Sequence, residues 1–253
     1  MTDLVKISEA DGVVEILWNR PDKKNALSNV MYRAATAALA RAAEDKAIRA
    51  VVIGSTGDSF TSGNDLADFA AAASGGEPPA AHGFIEAIIQ FPKPIVAAVP
   101  GLAVGVGTTM LLHCDLVYVA RDAKLTTPFV NLALVPEAAS SLLMPAHIGH
   151  RRAFAMFALG DAMTGEQAAE HGIANAAMSA SEVLPAAREA ARKLAERAPG
   201  ALIAAKKLMR DGEKILAQSR TEGAIFGERL RSAEAMEAFM AFQQKRAPDF
   251  SRF

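Results

Sequence analysis

Cysteine and aromatic residues are scarce in this chain of 253 residues, which has one Cys, one Trp and two Tyr. A single cysteine excludes an internal disulfide. Because Cys114 stands in an apolar run, a buried and unreactive thiol is the favoured interpretation. An excess of charge is also lacking, since 27 Lys and Arg balance 28 Asp and Glu and no basic block stands out. The composition therefore argues against a nucleic-acid partner.

Long linkers are missing as well. No Gly-, Ser- or Pro-rich stretch is long enough to separate two halves, so we expect one α/β unit. The N-terminus has no basic region followed by an apolar one, and no signal peptide is predicted. Residues 95–112 carry no charge, and this stretch is as long as a membrane span. Pro100-Gly101 and Gly105 interrupt that stretch, which favours a strand, a turn and a buried helix over a membrane span. We therefore expect no membrane partner.

Short apolar runs alternate with helix-length segments. Strands are predicted at residues 4–8 and 13–18, which form a hairpin, and at 50–53, 95–99 and 116–119. Helices are predicted at about 28–45 and 80–91. Strands separated by helices indicate β-α-β crossovers and a mainly parallel sheet. Beyond about residue 138 the pattern is almost wholly helical, with a capping box at 164–167.

A turn of small residues at 60–66 follows the third of these strands. Uncovered backbone N–H groups near a helix start can hold an anionic oxygen. A second glycine-containing segment at 101–109 has Gly105 and Gly107 on either side of Val106, but it matches neither a P-loop nor a dinucleotide fingerprint. Taken alone, the first segment favours a capped turn and the second favours close packing.

Glu137 follows Pro136 before a predicted helix. A carboxylate there is compatible with simple stabilisation of the helix dipole. Apolar walls around it would instead raise its pKa toward neutrality and suit it to general acid/base chemistry. The five histidines show no convincing ligand spacing, so no metal site is predicted.

Together these segments resemble the crotonase (enoyl-CoA hydratase/isomerase) superfamily, in order and spacing, over essentially the whole chain. The motifs that carry the resemblance are Asn19-Arg20-Pro21 with Asn25-Ala26-Leu27-Ser28, then Ser62-Gly63-Asn64-Asp65-Leu66, then Pro92-Lys93-Pro94 through Cys114-Asp115, and Thr164-Gly165 with Gly172-Ile173-Ala174-Asn175. The resemblance implies an α/β fold, a crotonase-like (ClpP/crotonase) spiral of β-β-α units. It also implies a core domain at 1–195 and a C-terminal helical trimerisation region at 196–253.

The same resemblance implies a binding site for an acyl-CoA thioester. The backbone N–H groups of Asn64 and Val106 match the two donors of the family's oxyanion hole. Further substrate-binding positions implied are Ser62, Gly63, Asp65, Leu66 and Gly105 around the thioester, Lys24 and Ala26 beside coenzyme A, and Phe129 and Leu134 toward the acyl tail.

The acids distinguish the branches of the family. The two glutamates of its hydratases fall on Thr109 and Phe129 here, and neither side chain can activate water. The isomerase branch instead places one glutamate at the position of Glu137. The chain is most similar to peroxisomal-type Δ3,Δ2-enoyl-CoA isomerases, which implies that Glu137 moves a proton between two carbons.

Two other functions stay open from the sequence. One is a different crotonase chemistry, either atypical hydration or thioester hydrolysis, and the other is a non-catalytic acyl-CoA binder. The resemblance implies an acyl-CoA substrate, no cofactor beyond the coenzyme A of that substrate, and a homotrimer or dimer of trimers. Eukaryotic relatives often end in a peroxisomal tripeptide, whereas this chain ends Ser251-Arg252-Phe253. A cytoplasmic, bacterial enzyme is the simpler expectation.

Overall fold

The computed structural model describes residues 2–65, 67–68, 77 and 79–253. Among these residues, no helix has the length and apolar character needed to cross a membrane. The uncharged stretch 95–112 forms a strand, a turn, a second short strand and short helical turns. The prediction of strand, turn and buried helix is therefore confirmed.

A six-stranded sheet forms the centre of the fold. The strands along the described chain are β1 (Val5–Ala10), β2 (Val13–Trp18), β3 (Ala50–Ser55), β4 (Ile95–Val99), β5 (Ala103–Val104), β6 (Leu116–Ala120), β7 (Lys124–Thr126), β8 (Met163–Thr164) and β9 (Ala176–Met178). The large sheet has the order β1-β2-β3-β4-β6-β9. β1 and β2 form the predicted hairpin, and each later pair is parallel, as expected.

Helices cover this sheet. They are α1 (Asn29–Glu44), α2 (Ala81–Gln90), α3 (Val106–Thr109), α4 (Ser140–Ile148), α5 (His150–Phe154), α6 (Gly165–Glu170), α7 (Ala180–Ala195), α8 (Pro199–Met209), α9 (Gly212–Leu230) and α10 (Ala233–Gln243). β3 and β4 are buried along their whole length, and α7 packs on both. Burial on both faces explains why these strands have continuous apolar sequences instead of alternating ones.

An aromatic cluster fixes α1 against the sheet and α2. The ring centroid of Phe84 in α2 lies 5.8 Å from that of Trp18 in β2 and 5.5 Å from that of Tyr32 in α1. All three side chains are fully buried or nearly so. This packing determines where the Tyr32 hydroxyl lies.

A second, small sheet has the order β5-β7-β8. Its strands are two or three residues long, so they give no alternation that a sequence analysis can detect. The N–H of Gly105, just after β5, donates to Thr126 O of β7 at 2.8 Å. This sheet therefore holds the start of α3 in place.

The expectation that the chain beyond residue 138 is almost wholly helical is wrong at β8 and β9. β9 extends the large sheet by pairing with β6, although its residues Ala176-Ala177-Met178 include no β-branched side chain. Pairing with an existing edge decides the conformation here against weak local preference. The predicted capping box is confirmed at Thr164 and Gln167.

The C-terminal helices pack against the rest of the fold. α9 contacts α2 and α4, and Arg210, directly after α8, donates to His113 O at 3.1 Å. The division of the chain at residues 195 and 196, and the trimerising role of the second part, stay predictions.

The Pro100-Gly101 turn between β4 and β5 has no room for a larger residue. A Cβ on Gly101 would lie 2.0 Å from the backbone oxygen of Asp58, whereas one on Gly200 in α8 would meet nothing within 4 Å. We expect Gly101→Ala to lower the free energy of unfolding by about 2 kcal/mol or more, because backbone atoms must move. Gly200→Ala should leave it unchanged or raise it by up to about 1 kcal/mol. Urea denaturation measures both, and equal effects would contradict this account.

Candidate active site

The loop after β3 presents the backbone of Asn64. Thr61 Oγ1 donates to Asn25 O at 2.7 Å and accepts from Gly63 N–H at 3.0 Å. Gly63 has a φ of +91°, a conformation that a side chain would strain. Asn64 then forms an isolated parallel bridge with Leu27. The loop is thus tied to the segment before α1 on both sides of Asn64.

The second loop leads from β5 into α3, where Val106 is the first helical residue. Gly105 has a φ of +56°, and a Cβ on Gly107 would lie 2.4 Å from Thr61 Cγ2. Only glycine permits this close approach between the two loops. The sequence signal that favoured close packing was therefore correct for Gly107.

Two backbone donors are left open where the loops meet. In the part of the chain that the structure describes, the N–H groups of Asn64 and Val106 donate to no protein acceptor, whereas those of Gly63, Asp65 and Gly105 each do. Val106 N–H belongs to the first turn of a helix, where the dipole favours negative charge. Both residues line the same cavity. Two unpaired N–H groups in one cavity can bind an oxygen that gains negative charge.

The Glu137 carboxyl group is buried near these loops. It is 9% exposed, and Thr109 Oγ1 donates to Glu137 Oε1 at 2.5 Å. Thr109 lies three residues after Val106 and so on the same face of α3. Burial raises the pKa of Glu137 to about 7, with a smaller rise from the charge of Glu222, against the lowering effect of the Thr109 hydrogen bond. A carboxyl group with this pKa can both take up and release a proton near neutral pH.

A constrained turn holds Glu137. Ala138 and Ala139 have φ values of +58° and +56°, unusual for residues with a side chain. Ring atom Nε2 of His113 lies 2.7 Å from Ala138 O. Burial and the neighbouring Arg210 lower the pKa of His113 to about 3, so the ring is neutral and donates one hydrogen bond to this carbonyl. His113 thereby stabilises a turn that costs backbone energy.

Tyr32 contacts the first loop at Asn64, an interaction that the sequence did not predict. Its hydroxyl donates to Asn64 Oδ1 at 2.5 Å. Burial raises the pKa of Tyr32 well above its usual range, and the charge of Glu137 raises it further. Because Tyr32 stays neutral, it acts as a hydrogen-bond donor that orients the Asn64 side chain.

A cavity of about 360 Å³ lies over the two loops. Its walls are Ser62, Gly63, Asn64, Val104, Gly105, Val106, Pro128, Phe129, Asn131, Leu132, Leu134, Phe226, Ala238, Phe242, Arg246 and Pro248. The cavity is mostly apolar beyond the loops, which suits an acyl chain. The Glu137 side chain is not part of this wall. It is hydrogen-bonded to Thr109 instead.

The predicted site residues fall into three groups. Ser62, Gly63, Asn64, Gly105, Val106, Phe129 and Leu134 share the cavity. A second group, outside the cavity, supports its first loop: Lys24, Ala26 and Asp65. Lys24 O accepts a hydrogen bond from Ser62 N–H at 2.9 Å. Arg20 donates both to Asp65 Oδ2, at 2.5 Å, and to Ala26 O, at 3.2 Å. Leu66 lies outside the described residues.

Sequence analysis missed the part of the cavity wall contributed by α9, α10 and the tail after them. Phe226 and Phe242 lie more than a hundred residues beyond both loops along the chain, and their apolar spacing is equally typical of ordinary core packing. Among the described residues, no cluster of three or more His, Cys, Asp or Glu side chains has the arrangement of a metal site.

Comparison with known proteins identifies the family of the chain. The family described as "Enoyl-CoA hydratase/isomerase" matches residues 8–252. Enoyl-CoA delta isomerase 2 of Rattus norvegicus is 33% identical over 246 residues, which cover 94% of this chain but 63% of the relative. A probable enoyl-CoA hydratase of Bacillus subtilis is 30% identical over 248 residues, 95% of this chain and 96% of its own. The chain thus spans less than two thirds of the isomerase and nearly all of the bacterial relative.

The fold is shared with solved structures. The crystal structure of an enoyl-CoA hydratase/isomerase from Pseudoalteromonas atlantica superposes with a TM-score of 0.93 at 39% identity, covering 98% of this chain and 100% of that one. The crotonase-like α/β fold predicted from the sequence is confirmed by this likeness.

The pKa of Glu137 makes stability depend on pH. The folded-state pKa of about 7 exceeds the ordinary 4.5. The contribution of protonated Glu137 to the free energy of unfolding is therefore complete below pH 4.5 and is lost as the pH rises through 7. Glu137→Gln never ionises. We expect its stability relative to wild type to increase between pH 5 and pH 9 by up to about 3 kcal/mol, as measured by urea denaturation. Exposed Glu228→Gln is the control. A relative stability of Glu137→Gln that is constant with pH would contradict the buried carboxyl.

Proposed function

This chain belongs to the enoyl-CoA hydratase/isomerase (crotonase) family, and from that premise we propose that it is a Δ3,Δ2-enoyl-CoA isomerase. The substrate is a 3-enoyl-CoA, whose double bond moves to the trans-2 position. The observation that carries the proposal is the buried carboxyl of Glu137, with a pKa of about 7. It is hydrogen-bonded to Thr109, one turn of α3 after Val106, whose N–H is one of the two unpaired backbone donors. The name of the rat relative supports the same reaction.

The reaction begins with proton removal. The ionised Glu137 carboxylate takes a proton from C2 of the 3-enoyl-CoA, and the electron pair spreads through C1 to C4 as a dienolate. Negative charge collects on the thioester oxygen, which the Asn64 and Val106 N–H groups bind. Loss of one such donor in comparable sites costs about 100- to 1,000-fold in rate.

The reaction ends when the same carboxyl group returns the proton to C4. No water is added and no electrons are exchanged with another molecule, so the proposed chemistry needs no cofactor besides the coenzyme A of the substrate. One group suffices because the proton leaves and returns at two carbons of the same dienolate. Thr109 supports this role by hydrogen bonding to Glu137, although it stands where a hydratase has an acid.

Hydration is the second candidate, and the Bacillus subtilis relative named as a probable hydratase supports it. Water addition needs one group to activate the nucleophile and one to supply a proton. Thr109 is hydrogen-bonded to Glu137, and Phe129 is an apolar part of the cavity wall. Neither supplies the second acid, so isomerisation fits the site better.

We further propose that the chain acts in the cytoplasm as a homotrimer or dimer of trimers. α10 exposes Met236, Met240 and Phe242, an apolar set that subunit contact would cover.

Turnover of trans-3-hexenoyl-CoA tests the proposed function directly. We expect rapid formation of the conjugated 2-enoyl thioester, which is monitored through its ultraviolet absorbance. Glu137→Gln should lower kcat/KM by about 100- to 10,000-fold because the proton carrier is gone. Glu228→Gln, an exposed change on α9, should leave it unaltered. Release of free CoA, a 3-hydroxyacyl product, or full activity in Glu137→Gln would contradict the isomerase assignment.

The pH profile provides a separate test. Since the first step needs ionised Glu137, kcat/KM should rise with pH and level off above the pKa of about 7. Initial rates between pH 5 and pH 9 give the midpoint. A profile that is flat from pH 5, or one that falls over this range, would show that another group carries the proton.

A further inference from the structure

A second buried carboxyl group lies close to the turn that carries Glu137. Glu222 in α9 is 5% exposed. Its Oε1 accepts a hydrogen bond from Ser141 N–H at 3.0 Å and another from the Ser141 hydroxyl. Gln218, one turn earlier in α9, donates to the same hydroxyl at 2.9 Å. The sequence analysis gave Glu222 no role.

The contact with Ser141 reaches Glu137 through four residues of backbone. Ser140 N–H donates to Glu137 O at 3.1 Å, which closes the turn over Ala138 and Ala139. The turn is therefore held at its start by Thr109, in its middle by His113 and at its end by Glu222. α9 thus fixes one end of the segment that positions the proton carrier.

The other oxygen of Glu222 is buried and, within the described residues, has no hydrogen-bond partner. Burial raises the pKa of Glu222, and the hydrogen bonds from Ser141 offset only part of that rise. Several other titratable or charged groups lie on the elements packed around the two glutamates. They are Tyr32, with Asp68 acting on it, His113 with Arg210, the Arg220–Glu86 ion pair, and His82 against Gly223. Arg210 and Arg220 are hydrogen-bonded to His113 and Glu86, so neither cation is paired with Glu222.

We propose that Glu222 is a positioning residue for Glu137: it holds the turn that carries Glu137 through Ser141, and it places near that turn a second buried carboxyl group that no cation of the described residues pairs with. The inference rests on the proposed function for its catalytic meaning. The charge of Glu222 contributes to the raised pKa of Glu137. Glu222 does not itself exchange a proton with the substrate. It keeps the pKa of the proton carrier near neutrality, where the group can both accept and return a proton.

Glu222→Gln is the decisive variant, because glutamine retains an oxygen that can accept from Ser141 but lacks the charge. We expect the midpoint of the kcat/KM profile to move to lower pH by about half a unit or more. Glu228→Gln removes the same charge from an exposed position of α9 and should leave the midpoint in place. Gln218→Glu adds a charge beside Ser141 and should move the midpoint upward. This second variant keeps the proposal testable if Glu222→Gln does not fold.

Carbon-13 NMR of glutamate-labelled protein gives a readout that does not need turnover. The Glu137 carboxyl signal is the one absent in Glu137→Gln, and its titration midpoint should shift downward in Glu222→Gln. If wild type does not isomerise 3-enoyl-CoA but this midpoint shifts, the proposed function fails and the role of Glu222 stands. Unchanged midpoints in Glu222→Gln and Gln218→Glu would overturn the inference, since a purely structural Glu222 would not move them.

Discussion

The burial of one carboxyl group, Glu137, is the constraint on which the site depends. An ionised carboxylate away from water is costly unless hydrogen bonds compensate, and within the described residues the Glu137 carboxyl group receives a hydrogen bond from Thr109. The balance leaves its pKa at about 7. More donors would fix it as a permanent anion, and fewer would leave it neutral. Either outcome would remove its ability to act as base and acid in succession.

The fold supports this balance from several separate elements. α3 supplies Thr109 and the Val106 N–H, the loop after β3 supplies Asn64, and α9 supplies Glu222. These elements meet because small residues allow it, above all Gly107, whose Cβ would collide with Thr61. The strained alanines after Glu137 are tolerated because neighbouring groups hold the turn. Backbone strain, close packing and the chemistry of the site therefore depend on one another.

Much of the fold followed from local patterns. The hairpin, the parallel strands and α1 each have an apolar periodicity that predicts them, whereas β8 and β9 exist because an edge was available for pairing. The loops at Asn64 and Val106 and the acid at Glu137 came from motif order. Tyr32 and Glu222 were missed, because a tyrosine and a glutamate within amphipathic helices look like ordinary residues until tertiary contacts bring them to the site.

The central claim is that a single carboxyl group carries the proton from C2 to C4. The most direct measurement uses 3-hexenoyl-CoA with deuterium at both C2 positions, converted in ordinary water and analysed by NMR early in the reaction. The account predicts that a measurable fraction of the 2-enoyl product carries deuterium at C4, because a buried carboxyl exchanges slowly with solvent. Product with no deuterium at C4, even in the first turnovers, would contradict a single shuttle and require separate groups for removal and return.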